Sequence, residues 1–284
     1  MTAAAFDPAA ADYDRDFTRS LTGAAQRRLV RDHLDRRLAE PGRPLQVLEL
    51  TCGTGEDAIH MAGLGHQVLA TDLSGAMLSR IKAKLADAKQ AEAKLAGTVR
   101  TGAVRTRQLA VEALAAGEPL DTVNEAEGFD LVFSNFGGLN CIGPGVMAAL
   151  ARRLAGLIRP GGRVILVVMP HLCLWEAGWN LVRLRPRAAF RRLGRGPVQA
   201  RIGDQSLSIW YHGAATLRQA FAGDFVCDTI RPIGLAVPPS ALEPVFARRP
   251  GLIARLEAVD RRLARCGWLA GCADHLLIDL RRVA

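Results

Sequence analysis

The clearest chemistry in this chain is carried by two acidic side chains and a glycine-rich turn. Glu49 lies near the end of the apolar run 45–50, and Thr51-Cys52-Gly53-Thr54-Gly55 follows directly. Gly53 and Gly55 permit a tight turn and a close approach of backbone to a ligand. A helix opening just after such a turn aims its free N–H groups at the same place. Glu49, four residues before Gly53, can meet a ligand ammonium. Asp72, 23 residues after Glu49, ends a second apolar run, where its carboxylate can accept hydrogen bonds from both hydroxyls of a ribose. Two acids at neighbouring strand ends flanking a glycine turn follow the nucleoside-binding logic of doubly wound sheets.

Candidates for proton transfer are fewer. His171 follows an apolar run directly, and Tyr211-His212 ends a hairpin pattern; these three are the catalytic candidates. A histidine serves as general base if the group attacked must lose a proton. His33, His60, His66 and His275 sit on helices or strand edges and are assigned no role. The six cysteines, Cys52, Cys141, Cys173, Cys227, Cys266 and Cys272, form no C-x-x-C pair and have no histidine at metal spacing, so no metal site is expected. Cys52 has no base paired with it and reads as a small turn residue.

These residues need a frame that brings strand ends together. Residues 20–39 read as an arginine-rich amphipathic helix ended by Pro41-Gly42-Arg43-Pro44. Strands are expected at 45–50, 67–71, 104–109 (the weakest), 129–133 and 164–168, separated by helices. The runs are apolar on both faces, so a parallel sheet covered by helices on both sides is expected. Beyond Met169 the pattern predicts a helix over 171–194 broken at Pro186. A hairpin over 198–211 turns at Gly203-Asp204-Gln205-Ser206. A short helix near Thr216, a strand at 225–230, helices over 240–266 and a last strand at 276–280 complete the chain. The units expected are 1–40 as an N-terminal lid and helix, 41–170 as the nucleoside-binding core, 171–215 as an inserted cap, and 216–284 as completion of the sheet.

The motifs themselves are similar to those of a known family. Glu49-Leu50-Thr51-Cys52-Gly53-Thr54-Gly55 resembles the E/D-x-G-x-G-x-G motif of class I S-adenosylmethionine-dependent methyltransferases. Residues 71–78 resemble their D-x-S-x-x-M-L motif, 129–135 their fourth-strand motif, and 157–162 their L-x-P-G-G turn. Phe6-Asp7, Tyr13-Asp14 and Phe17 resemble the usual lead-in. The resemblance covers about residues 5–170 in order. It implies an α/β fold: a doubly wound seven-stranded sheet, six strands parallel and the last reversed, with a helix-plus-hairpin cap inserted after strand 5. It also implies S-adenosylmethionine as cofactor, with Gly53 and Gly55 along its methionine part and Glu49 near its amino group. Asp72 would hold the ribose, Leu73 and Met77 would pack on adenine, Asn135 and Phe136 would lie near the sulfonium, and Tyr13 would close over the site. Two positions depart from the pattern. Thr51 stands where the family has its first glycine, and Ala110 falls where an aspartate holds the adenine amine, so Glu112 or backbone groups would substitute. A nicotinamide-dependent oxidoreductase is disfavoured because positions 51 and 58 are Thr and Ala rather than glycine.

The expected activity is metal-independent methyl transfer to oxygen or nitrogen of a small or amphiphilic, lipid-like acceptor. The alternatives are a nucleoside-binding protein without catalysis and an RNA-directed methyltransferase. The net charge of +9 invites nucleic acid, but the basic residues are mostly arginine beside a strong alanine bias, and aromatics are only 5%, few to stack on bases. Nucleic acid is therefore disfavoured as a partner. Residues 172–195 form an arginine-rich stretch with Trp175, Trp179 and Val182 on one helical face, which suits either a lid or peripheral contact with a membrane. Arg191 and Arg192 are the charges expected to face such a surface. No run is long enough to span a bilayer and the N-terminus lacks a secretory layout, so the expected location is cytoplasmic.

Overall fold

The structure, a computed structural model, describes residues 7–8, 10–94, 102–120, 128–194, 196–202 and 205–283. Phe6, Arg195 and the hairpin-turn residues Gly203 and Asp204 lie outside them. Seven strands form one sheet in the order β3-β2-β1-β4-β5-β9-β8, comprising β1 (Gln46–Leu50), β2 (Gln67–Asp72), β3 (Ala103–Gln108), β4 (Phe129–Ser134), β5 (Ile158–Val168), β8 (Phe225–Ile233) and β9 (His275–Arg282). The first five pair in parallel, whereas β9 runs antiparallel between β5 and β8. Six strands thus share a direction and β9 is reversed, the expected arrangement. A second, two-stranded sheet pairs β6 (Val198–Ile202) with β7 (Gln205–Ile209).

Successive side chains of the central strands face opposite layers, which is why their sequences are apolar throughout. Leu48, Val132, Val164 and Leu166 pack with α4 (Val111–Ala115), α5 (Pro144–Leu157) and α8 (Ala214–Phe221). Val47, Leu131, Phe133 and Ile165 pack with the other layer. There lie α1 (Leu21–Ala39), α2 (Glu56–Gly63), α3 (Gly75–Lys94), α9 (Glu243–Phe246) and α10 (Pro250–Leu263). Leu48 is wholly buried, so its truncation to alanine would cost about 2–5 kcal/mol. Ser20 caps α1 by accepting from the Gly23 N–H at 3.0 Å.

One local expectation changes. Pro160-Gly161-Gly162 does not form a free turn before the strand; it bulges out of β5. Phe129 pairs with Ile158 while Leu131 pairs with Arg163, so the intervening β5 residues loop away, with Gly161 at φ +78°. The helix expected over 171–194 is interrupted at 183–185, directly before Pro186. Its first piece, α6 (Leu174–Val182), ends where Leu184 turns left-handed (φ +56°), and α7 (Pro186–Ala189) begins at the proline. A residue before proline avoids the helical region, and Arg185 obeys with ψ 66°.

The segment after β5 (α6, α7 and the β6–β7 hairpin) is fastened at its ends by Asn140 and midway by Arg192. Asn140, wholly buried, accepts from the Met169 N–H (2.9 Å) and donates to Met169 O (3.1 Å) and Trp210 O (2.6 Å). Trp210 N–H returns a bond to Asn140 O at 2.6 Å. At the other fastening, Arg192 is buried and donates to Glu176 (2.7 Å) and to the Asp274 carboxylate (3.1 Å).

Candidate active site

The glycine-rich turn folds around Asp72. One Asp72 oxygen accepts from the Gly53 N–H and the other from the Ser74 N–H, both at 2.9 Å, so the two strand-end loops are tied together. Gly53 (φ +55°) and Gly55 (φ +73°) both adopt left-handed conformations, and a side chain at 55 would collide with Ile81 of α3. Thr51 also takes φ +51°, unusual for a β-branched residue. Its hydroxyl donates to Leu50 O (2.7 Å) and bonds Ser134 Oγ (2.8 Å), while its side chain packs where Gly138 leaves room.

An opening of about 230 Å³ lies at the carboxyl ends of β1, β2 and β4. Its walls are Tyr13, Thr51, Gly53, Asp72, Leu73, Met77, Leu109, Val111, Asn135, Phe136, Gly137, Gly138, Cys141, Met169, Leu207 and Ile209. Tyr13, Thr51, Gly53, Asp72, Leu73, Met77, Asn135 and Phe136 are thus brought together as the sequence implied. Leu207 and Ile209 belong to β7, so the hairpin forms part of the wall. Burial pushes the Asp72 carboxyl up from its ordinary range, against the lowering effect of its backbone N–H partners. Burial likewise raises the Tyr13 hydroxyl, and it raises the Cys141 thiol to about 12. Cys141 is therefore a neutral wall residue, not a nucleophile.

Behind this wall sits a buried charged cluster. Asp57 of α2 accepts from Arg27 of α1, from Arg31 (3.2 Å) and from the Asn135 side-chain amide (2.8 Å). Burial of Glu49, reinforced by the Asp57 charge, pushes its carboxyl well above the usual range. Glu49 Oε2 and Arg27 Nε are both buried without a hydrogen-bond partner. An unpaired acceptor and an unpaired donor together suit a zwitterionic amino-acid group, since buried polar atoms are normally satisfied. Neither side chain lines the opening itself, but the Arg27 guanidinium lies 5.0 Å from the centre of the Phe136 ring, which does. Arg27 and Asp57 were not singled out from sequence; both lie on helices whose patterns read as ordinary amphipathic surface.

The N-terminal lead-in closes one side. Asp14 accepts from Thr54 (2.6 Å), within the glycine turn, and pairs with Lys84 (2.8 Å). Tyr13, Phe17, Phe136 and His275 form a chain of ring contacts with centroids 5.2–5.5 Å apart.

Several expected site residues lie elsewhere. His212 is buried, with Nε2 on Ile142 O (3.1 Å), and burial lowers its pKa, so it is a neutral structural side chain outside the opening. His171 Nδ1 lies 3.3 Å from Arg192 O, and Tyr211 lies under the Arg192 guanidinium at 5.3 Å. Neither lines the opening. Glu112 is in the first turn of α4 and also stays out of the wall, where its neighbours Leu109 and Val111 stand. Gly55 shapes the turn from behind, as the N-cap of α2. Arg192 is no surface charge, and Arg191 is held by Glu176.

Residues 47–162 match the family model described as a methyltransferase domain. The tRNA 5-carboxymethoxyuridine methyltransferase of Escherichia coli (strain K12) is 40% identical over 78 residues, which is 27% of this chain and 30% of that protein. The chain thus spans less than a third of the length of the curated relatives it matches. Among solved structures, an S-adenosylmethionine-dependent methyltransferase from Mesorhizobium loti superposes with a TM-score of 0.51 at 18% identity, over 92% of this chain and all of that one. Magnesium protoporphyrin IX methyltransferase from Synechocystis PCC 6803, with bound S-adenosylhomocysteine, gives 0.51 at 14% identity over 91% and 84%. The sheet order and the turn around Asp72 are those of the class I S-adenosylmethionine-dependent methyltransferase fold, and residues 47–162 within it carry the methyltransferase-domain match.

Proposed function

We propose that this chain transfers a methyl group from S-adenosylmethionine to an oxygen or nitrogen of a small or amphiphilic acceptor. The observation that carries this reading is the single opening in which Gly53 and Asp72 face the hairpin residues Leu207 and Ile209. A nucleoside-holding wall and a mostly apolar acceptor wall thereby share one space. Gly53, Asp72, Leu73 and Met77 would hold the nucleoside, and the unpaired Glu49 and Arg27 atoms would serve the amino-acid end. When bound, the cofactor supplies an electrophilic methyl on a sulfonium. The chain's own contribution is position: Asn135 and Phe136 fix one wall, Tyr13 covers another, and the apolar surroundings exclude water. Among the described residues of the wall, only Tyr13, Asp72 and Cys141 titrate, and burial keeps the tyrosine and cysteine protonated at neutral pH. This favours an acceptor atom that carries its own lone pair without help from a protein base. His171, His212 and Tyr211 have no part in this reading.

A second reading, RNA as acceptor, is favoured by the local likeness to the Escherichia coli tRNA enzyme and by the net charge of +9. Isothermal titration with S-adenosylhomocysteine, followed by an acceptor-dependent release assay, tests both. Asp72→Ala should abolish measurable binding; unchanged affinity would refute the assignment of the ribose to Asp72. Product formed only with RNA substrates, and with no small acceptor, would select the second reading.

A further inference from the structure

The tip of the inserted segment presents several neighbouring apolar side chains to solvent. Val182 is 83% exposed and Leu184 88%, with Leu181, Phe190 and Leu193 also open. Every residue from Leu181 to Arg187 is exposed, and three of them are arginines: Arg183, Arg185 and Arg187. The only acidic residue between Leu172 and Arg201 is Glu176, and it is already neutralised by Arg191 and Arg192. The tip is thus apolar and uncompensated in charge.

Its backbone is arranged at a cost that packing does not explain. Leu184 takes φ +56° as α6 ends, with its N–H on Leu181 O (2.9 Å) and the Arg185 N–H on Asn180 O (2.8 Å). That ending ordinarily uses glycine, which has no Cβ penalty. Here a leucine occupies it and holds its side chain in water. Beside it, an apolar groove of about 450 Å³ runs between α6 and α10, bounded by Trp175, Trp179, Val182, Leu235 and Leu256.

We propose that Leu181–Arg187 is a docking surface for an anionic lipid bilayer, with Val182 and Leu184 entering the interface and the three arginines meeting lipid phosphates. Charge complementarity selects an anionic surface, since basic residues next to a membrane gain affinity from acidic lipids. Aliphatic insertion separates a bilayer from nucleic acid: leucine and valine offer no ring to stack on bases. Of the two tryptophans bounding the groove, Trp175 donates its N–H to Ala236 O (3.0 Å) and Trp179 lies beneath the Arg183 guanidinium at 4.3 Å. The same inserted segment supplies Leu207 and Ile209 to the opening, so docking would bring the acceptor wall close to the bilayer. The proposal stands apart from methyl transfer, because it concerns binding alone.

The test is sedimentation of the full chain, without cofactor, on vesicles of phosphatidylcholine with 30% phosphatidylglycerol, about, and on phosphatidylcholine alone. Binding is expected to the anionic vesicles and to weaken as salt rises. Each arginine changed to glutamine (Arg183, Arg185, Arg187) should lower partitioning about fivefold. Leu184→Gly should lower it about tenfold, while its thermal midpoint stays at or above that of the parent, because glycine suits the left-handed position. No sedimentation with anionic vesicles at low salt overturns the proposal, as does an undiminished Leu184→Gly. So does salt-sensitive binding to generic RNA that exceeds vesicle binding and is indifferent to Val182 and Leu184.

Discussion

Gly138→Ala should destabilise the protein through Thr51, a residue far away in sequence. A Cβ at position 138 would lie no farther than 3.0 Å from Thr51 Oγ1, Cβ and Cγ2. The hydroxyl cannot swing away freely, because it bonds both Leu50 O and Ser134 Oγ. Overpacking a rigid site costs about 1–3 kcal/mol, and three close atoms with no flexible end argue for about 2 kcal/mol. For a chain of this size, that lowers the thermal midpoint by roughly 3–4 °C. Thr51→Gly alone should be near neutral. It relieves about 1–2 kcal/mol of left-handed strain but loses about 1 kcal/mol of hydrogen bonding and adds about 0.5–1 kcal/mol of chain entropy in the unfolded state. In the Thr51→Gly background the Gly138→Ala penalty should nearly vanish, giving a coupling of about 2 kcal/mol in a double-mutant cycle. Urea denaturation of the four proteins is the assay. Equal penalties for Gly138→Ala in both backgrounds would refute the argued contact.

Asn140→Ala removes three side-chain hydrogen bonds that fasten the two ends of the inserted segment, at Met169 and Trp210, from a wholly buried position. It should cost about 2–3 kcal/mol and speed proteolysis near the β6–β7 hairpin; native-like protease resistance there would count against the fastening. The burial that raises Glu49 has a definite pH sign: a carboxyl whose folded pKa lies above its unfolded value stabilises least once it must ionise. Stability contributed by its protonated form is present below the ordinary glutamate range and is lost as pH rises through the folded value. Glu49→Gln should therefore raise the thermal midpoint at neutral pH and flatten its pH dependence above about pH 4; a lower midpoint at neutral pH would contradict the sign. Asp279 behaves oppositely: burial acts to raise its carboxyl, but hydrogen bonding from His33 and the charges of Arg163 and Arg37 together outweigh burial and hold it low. Its contribution is present above the usual aspartate range and is lost on acidification, so Asp279→Asn should remove part of the stability at neutral pH and little of it near pH 2. Equal losses at both pH values would remove that assignment.

The strand pattern was legible because it has a local cause. Runs such as Val164-Ile165-Leu166-Val167-Val168 are apolar at every position only when both faces are covered, and the glycine turn and Asp72 announce a strand-end site by spacing alone. What the sequence concealed depends on tertiary contact. Arg27 and Asp57 lie on different helices and acquire meaning only when Asn135 brings them together. Asn140 resembles any loop asparagine until Trp210 and Met169 close on it. The histidine candidates lie off the opening's wall for a related reason: proximity to a strand end along the chain says nothing of which way a ring points, and His212 turns inward to Ile142 O. Arg192 was expected at the surface by the company it keeps in sequence, yet Glu176 and Asp274 draw it inside.

The two fastenings of the inserted segment have an architectural consequence. Asn140 gathers both ends of the segment, at Met169 and Trp210, and Arg192 holds it midway, so two polar knots add to the packing of Trp175 and Trp179 on the core. The exposed tip from Leu181 to Arg187, by contrast, forms no part of the opening's wall. Such a tip is a replaceable module: it could be lengthened or rewritten for another surface while the turn around Asp72 kept its shape. A family that keeps one cofactor and changes acceptors would find its freedom in a piece of chain moored in this way.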